Sequence, residues 1–179
     1  MPFRAIGESM QTQLNIRPIR AAEAPIAKAL VFQVAHEMME PEMPFESFRA
    51  LWDSWGVFDD LHDIAASYEL KDGAFWVADD AGAIVGTGAI LRYEQPGYCE
   101  LKRIALLPEY RGHGHGYALV RALIGEAQRR RYRAMILWTN RFRLTRAVAL
   151  YQQMGFVEVP HEGADLDEIW MEQDLTCSR

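Results

Sequence analysis

The sequence is poor in the residues that staple a chain, anchor it in lipid or draw it to polyanions. Only two cysteines occur, Cys99 and Cys177. They are too few for a disulfide framework, and Met1 to Leu14 lacks the apolar run of a secretory leader, so a reducing, cytoplasmic location is expected. No stretch approaches the ~18 unbroken apolar residues of a membrane-crossing helix, and no membrane association is expected. Lys and Arg number 19 against 25 Asp and Glu, a formal net charge of −6. Binding to nucleic acid or to an anionic membrane needs the opposite excess, so neither partner is expected, and a cationic small molecule or peptide suits the balance better. A metal centre is not expected either. His113 and His115 alternate without a cysteine or carboxylate nearby to complete a tetrahedral set, and His36-Glu37-Met38-Met39-Glu40 lacks the second histidine of a zinc-protease helix.

What remains is a balanced globular composition. Of 179 residues, 50% are hydrophobic and 25% charged, enough for one domain with a substantial core and too little for two. Residues 1–13 are polar and aperiodic and read as a tail, leaving 14–179 as a single domain. Acidic side chains concentrate between Glu37 and Asp80, and most arginines lie in the second half. Two readings stay open: solvated helix faces, or the two differently charged ends of a ligand site.

Periodicity predicts a strand over 14–20, a helix opening at Pro25, and two short helices carrying Phe45, Phe48, Trp52, Trp55 and then Phe58, Leu61, Ala65, Tyr68. That aromatic stripe suits a core or a pocket wall. Residues 74–78 and 84–91 form a hairpin around Asp79-Asp80-Ala81-Gly82. A strand at 98–107, a glycine loop, a helix at 116–131 and a strand at 134–139 make one unit. A helix over 144–154 closes at Gly155, and strands at 156–159 and 168–175 end the chain.

The glycine loop carries the most chemistry. In Arg111-Gly112-His113-Gly114-His115-Gly116-Tyr117-Ala118, alternate residues lack a Cβ, which lets successive backbone N–H groups turn toward an anion at the positive end of a helix. It is not a dinucleotide fingerprint, because the sixth position is Tyr117 counted from Gly112 and Leu119 counted from Gly114. It is not a phosphate-binding P-loop, because Gly116 is followed by Tyr117-Ala118 instead of Lys and Ser or Thr.

The pattern R-x-x-G-x-G at Arg111, Gly114 and Gly116, after Leu106-Leu107-Pro108-Glu109-Tyr110, resembles the GNAT superfamily of N-acetyltransferases. A second stretch, Thr139-Asn140 and Ala149 to Phe156, is similar to the family's other cofactor motif. The resemblance runs from about Leu14 to Leu175. It implies an α/β (α+β) fold with a central mixed, mostly antiparallel sheet, helices on both faces, and a splayed parallel strand pair forming a cleft for acetyl-CoA. It implies that Arg111, Gly112, His113, Gly114, His115, Gly116, Tyr117 and Ala118 hold the pyrophosphate. It further implies that the main chain of Ile104, Ala105 and Leu106 pairs with the pantetheine arm, and that Asn140 bonds its amides. An amide near Ile104 would face the developing oxyanion, a contribution of about 3 kcal/mol for a good donor.

Two side chains are candidates for moving protons. An alkylamine of pKa about 10.4 is protonated at neutral pH and must lose that proton before it can attack a thioester. Glu100, where the histone-acetylating branch of the family keeps its base, could accept it; an ion-paired surface glutamate beside Lys102 and Arg103 is the equal alternative. Tyr151 could protonate the departing thiolate, since its neutral O–H is available at pH 7 and reaches out from an apolar ring. The basic cluster of Arg129, Arg130, Arg131 and Arg133, with Arg141, Arg143 and Arg146, serves the helix dipole or the coenzyme's 3′-phosphate. The expected activity is acetyl transfer to a primary amine in a ternary complex. The alternatives are a catalytically inactive acyl-CoA sensor and a transferase for a longer acyl group. The amine is not readable, and a homodimer is compatible with the sequence.

Overall fold

The computed structural model describes residues 13–176; most of the polar tail read from the sequence, and Cys177, lie outside them. Seven strands form one sheet in the order β1-β2-β3-β4-β5-β7-β6. They are β1 (Asn15–Pro18), β2 (Ala74–Asp80), β3 (Ala83–Arg92), β4 (Tyr98–Leu106), β5 (Ala134–Asn140), β6 (Val157–Val159) and β7 (Glu168–Asp174). Every neighbouring pair is antiparallel except β4 and β5. Because a parallel pair needs a crossover, helix α4 (His115–Arg129) lies in the connection between those two strands.

Each sheet face buries its own core. Toward α4 and helix α5 (Thr145–Gln153) point Ile90, Cys99, Leu101, Met135, Leu137 and Met171. Toward α1 (Ala24–Met39) and α2 (Phe45–Ser54) point Phe75, Val77, Ala89 and Ala105. The alternation of period 2 in β2 to β5 divides the residues between the two layers. The expected hairpin turns at Ala81 and Gly82, both with positive φ (49° and 98°), the conformation that suits the twist of paired strands. The strands run further into it than expected, because Asp79 stays in the ladder and its side chain accepts the Gly82 N–H at 2.6 Å.

The second of the two aromatic helices is not one. The chain from Asp59 to Lys71 makes only a 3-10 turn, the single-turn helix α3 (Ile64–Ser67) and a second 3-10 turn. Its apolar spacing is helical, but Phe58, Leu61, Ile64 and Tyr68 are all buried, and a Gly56 with φ 68° breaks the run before it begins. Packing of separate anchors, not one continuous stripe, fixes this segment.

At the other sheet edge, Arg17 of β1 bridges Glu23 at 2.7 Å and Asp79 of β2 at 2.6 Å. Hydrogen bonds from Arg17 and from the Arg20 backbone hold the Glu23 carboxyl down at about 2. A folded-state value below the unfolded one of about 4.3 means this contribution is complete above that pH and is lost as pH falls through 2. Thermal melts from pH 6 to pH 2 should therefore show a falling midpoint, and Glu23→Gln should flatten that slope while lowering the midpoint at pH 6 by a few degrees.

Candidate active site

The glycine loop forms between β4 and α4. Gly112 and Gly114 both have φ 81°, the left-handed region that other residues enter at a cost of roughly 1–2 kcal/mol. Gly114 is the N-cap of α4 and offers no side chain to its first turn. Among the described residues, the N–H groups of Gly112, His113, Gly114, His115, Gly116 and Tyr117 donate to no protein acceptor; the first bond after the loop is Ala118 N–H to the Gly114 carbonyl at 3.0 Å. Several unsatisfied donors thus gather at the positive end of a 15-residue helix, the arrangement that receives phosphate.

Beside the loop the sheet opens. β4 and β5 pair only from Tyr98 to Glu100 against Ala134 to Ile136, and beyond that register they part. The gap is a cleft of about 190 Å³ that passes through the sheet, with Val34 and Met38 of α1 on one side and, on the other, Tyr151 of α5 and Leu144 just before that helix. Ile104 and Ala105 both line it, with Ile104 packed into the α4 layer and Ala105 into the α1 layer. The Leu106 carbonyl is taken by the Arg111 Nε at 2.8 Å.

That bond settles where Arg111 points. Its other guanidinium nitrogens grip Glu37 near the end of α1 at 2.8 and 3.0 Å, so its charge braces the strand end against α1. His113 and His115 flank the loop with ring centroids 6.1 Å apart, and no group of three potential metal ligands occurs among the described residues. Tyr117 and Ala118 are exposed on the first turn of α4.

Tyr151 is 7% exposed, packs edge-on against Phe156 at 5.7 Å, and lines the cleft. Burial alone, with no hydrogen bond contributing, pushes its phenol above the ordinary tyrosine value and keeps it protonated. Glu100 sits at the closed end of the splay, opposite Ile136. Its neighbours Cys99 and Leu101 are buried in the α4 layer, so alternation puts Glu100 and Lys102 on the α1 face, 3.4 Å apart. Glu100 and Tyr151 therefore stand on opposite faces of the sheet. Asn140 ends β5, and its Oδ1 accepts the N–H groups of Phe142 and Arg143 at 3.0 and 2.8 Å; only its NH₂ remains for another partner.

Residues whose role the sequence left open, and others it did not point to, matter here. Most of the basic cluster is structurally engaged: Arg129 and Arg130 both bind the buried Glu126, Arg133 bonds the Pro96 carbonyl, and Arg141 pairs with Glu158. Arg121, one turn beyond Tyr117, makes no ion pair among the described residues and lines a groove of about 490 Å³ with Tyr117, Gln153 and Gly155. Its position i+4 from Tyr117 was a legible signal that it shares that residue's face. Arg103, with φ 58°, and its partner Asp60 were also missed, because nothing local announces a left-handed arginine in a strand.

Unpartnered amides at the mouth of an opened sheet define a class of site, one suited to an extended anionic ligand, beside a cleft lined by the buried Tyr151. The comparisons specify the family. The model of the Acetyltransferase (GNAT) family matches residues 27–156, and the chain belongs to that family. N-acetyltransferase family 8 member 2 of Rattus norvegicus is 36% identical over 106 residues, which are 57% of this chain and 46% of that protein. The uncharacterized N-acetyltransferase YjgM of Escherichia coli is 30% identical over 105 residues, 58% of this chain and 60% of that one. The chain thus spans about half the length of the mammalian relatives it matches. Among solved structures, a GNAT acetyltransferase from Staphylococcus aureus superposes with TM-score 0.74 at 19% identity, over 92% of this chain and 100% of that one. PaiA N-acetyltransferase from Thermoplasma acidophilum, in complex with coenzyme A, gives 0.71 at 16%, over 90% and 99%. These likenesses establish the fold.

Proposed function

We propose that the protein is an N-acetyltransferase that moves an acetyl group from acetyl-CoA to a primary amine of a small molecule or peptide. The observation that carries this reading is the run of unpartnered amides from Gly112 to Tyr117 beside the splayed ends of β4 and β5. A pyrophosphate suits those donors, and the cleft suits a slender arm reaching toward Tyr151. Bound acetyl-CoA supplies the activated acetyl thioester. Arg121 is the cation best placed for the coenzyme's outer phosphate, since its groove adjoins Tyr117 on the same helix.

The chain's own residues divide the work by sheet face. On the α1 face Glu100 takes the ammonium proton of the incoming amine, directly or through water. Main-chain N–H groups around Ile104 face the acyl oxygen, and the NH₂ of Asn140 orients the pantetheine arm. On the α5 face the Tyr151 hydroxyl gives its proton to the leaving sulfur. Transfer is direct, since Cys99 is buried and burial pushes its thiol up to about 12, so it holds no thiolate for a covalent route.

Free thiol release from acetyl-CoA in the presence of amino acids, polyamines and peptides with free N-termini tests the reading. Turnover on at least one amine is expected; tight coenzyme A binding with no turnover on any of them would instead mark a sensor. Glu100→Gln should cut kcat/KM at pH 7 by about a hundredfold, the lower part of the range for a lost general base. That deficit should shrink as pH approaches the amine's own pKa, about 8 for a peptide N-terminus and about 10.4 for an alkylamine, because solvent then supplies the free base.

A further inference from the structure

The strand that borders the cleft is not regular. Lys102 of β4 pairs with Ala89 and Ala105 with Thr87, so Arg103 and Ile104 together oppose the single residue Gly88. This is a bulge, and bulges re-aim the groups that follow them. Its hinge residue is Arg103, in the left-handed region at φ 58°, where a long non-glycine side chain is uncommon. Three contacts hold it there. Gly88 leaves the space that Ile104 occupies, since a Cβ would meet the Ile104 Cδ1 at 2.7 Å. The Thr87 hydroxyl, fully buried, donates to the Arg103 carbonyl at 2.9 Å. The third contact is the arginine side chain itself.

That side chain leaves the cleft wall and enters the segment after α2. Its Nε bonds Asp60 at 2.9 Å, one terminal nitrogen bonds the other Asp60 oxygen and the Val57 carbonyl, and the guanidinium lies 4.8 Å over the Phe58 ring. Asp60 in turn accepts the hydroxyl of Tyr68, which is fully buried. Both charges are 14–15% exposed. A planar guanidinium fork held on a carboxylate, a carbonyl and an aromatic face has one orientation, which a flexible ammonium could not match.

We infer that Arg103 is a positioning residue: its anchorage on Asp60, Phe58 and Val57 holds the β4 bulge so that the main chain at Ile104 faces the cleft. The segment 57–68 on the acceptor side thereby sets the geometry of the strand where acyl-oxygen charge is stabilised. The inference rests on the acetyltransferase reading and deepens it. Arg103 lines the cleft beside Phe58, but its Nε and one terminal nitrogen are taken by Asp60 and the Val57 carbonyl, so its effect passes through the backbone of the next residue.

The test separates side-chain anchorage from backbone strain. Arg103→Gly removes the side chain but relaxes the positive φ, so if the backbone alone kept the bulge, kcat would be preserved. With the acetyl-CoA thiol-release assay and the amine that turns over best, Arg103→Gly and Arg103→Met are expected to lower kcat about a hundredfold, the order of loss for a misplaced donor or a misaligned reacting centre. Calorimetric coenzyme A affinity and KM for the amine should stay within about twofold of the unmutated protein's, on the physical ground that the guanidinium fork is committed to Asp60 and the Val57 carbonyl. Arg103→Lys should fall between, and Tyr68→Phe, which leaves the ion pair intact, should retain most of the rate. Asp60→Asn strands a buried cation; if it does not fold, the double variant Asp60→Asn, Arg103→Gly has no unpaired buried charge and should show the same kcat loss. Undiminished kcat in folded Arg103→Gly, or a matching rise in coenzyme A Kd, would overturn the positioning role while leaving the transferase reading in place. Absence of turnover by the unmutated protein on every amine would sink both.

Discussion

Tyr151→Phe should lower kcat for acetyl transfer by about a hundredfold or more, the usual size of a lost general acid, while leaving coenzyme A affinity and thermal stability nearly unchanged. The second half of that expectation comes from the environment of the hydroxyl. It is held in a largely buried ring at the cleft, with no hydrogen bond contributing to its raised pKa, so its removal strands no other polar group and phenylalanine fills the same space. A tyrosine that served only to pack would tolerate this change with full activity. Because burial raises the phenol's pKa, the hydroxyl stays protonated across the neutral range. Its loss should therefore appear as a pH-independent drop in kcat between pH 6 and pH 9. Full kcat in the phenylalanine variant would remove Tyr151 from the chemistry.

Gly114→Ala should weaken coenzyme A binding, read by calorimetry, by about tenfold. The reason is conformational, since a Cβ at Gly114 would meet nothing within 4 Å. The residue occupies φ 81°, and alanine there is disfavoured by about 1–2 kcal/mol, where about 1.4 kcal/mol is a factor of ten in Kd. The free protein can relax that strain by moving the loop, and the strain returns on binding. Combining it with Gly112→Ala, at the same φ, should compound the loss. Gly125→Ala is the control: it lies within α4 outside the loop, its φ is not positive and its Cβ would meet nothing within 4 Å, so affinity should change little. An unaltered Kd in the double variant would mean that the loop is not what grips the coenzyme.

The sequence was most legible where local chemistry and local geometry coincide. The three alternating glycines, the hairpin at Ala81-Gly82 and the Gly155 stop after α5 were each readable because a residue without a Cβ marks a backbone position directly. The strand, loop, helix, strand unit from Tyr98 to Asn140 was readable because the apolar period switches from 2 to 3.6 and back. Illegibility began where partners are far apart in the chain. The resemblance places Arg111 among the pyrophosphate residues, and nothing in its neighbourhood along the chain announces that its fork also meets Glu37, 74 residues away. For the arginines at 129 and 130 the sequence left a helix-dipole and a phosphate role open, and both bind the buried Glu126. The helix expected over 58–68 failed because its apolar spacing was a set of separate anchors under α1 and β2, and spacing alone does not separate the two.

By itself, then, the order of residues determined the sheet strands, the two helices that follow the glycine loop and the β5 turn, and the glycine loop with its bare amides. Short-range backbone preferences suffice for those, because each is decided within one turn or one pleat. Only the tertiary structure decided where β4 and β5 part, which face Glu100 and Tyr151 each serve, and that Arg103 is bent into the left-handed region and tied to Asp60, 43 positions earlier in the chain. Those outcomes depend on long-range pairing and burial, and a charge finds its counter-charge only after the chain has closed around both.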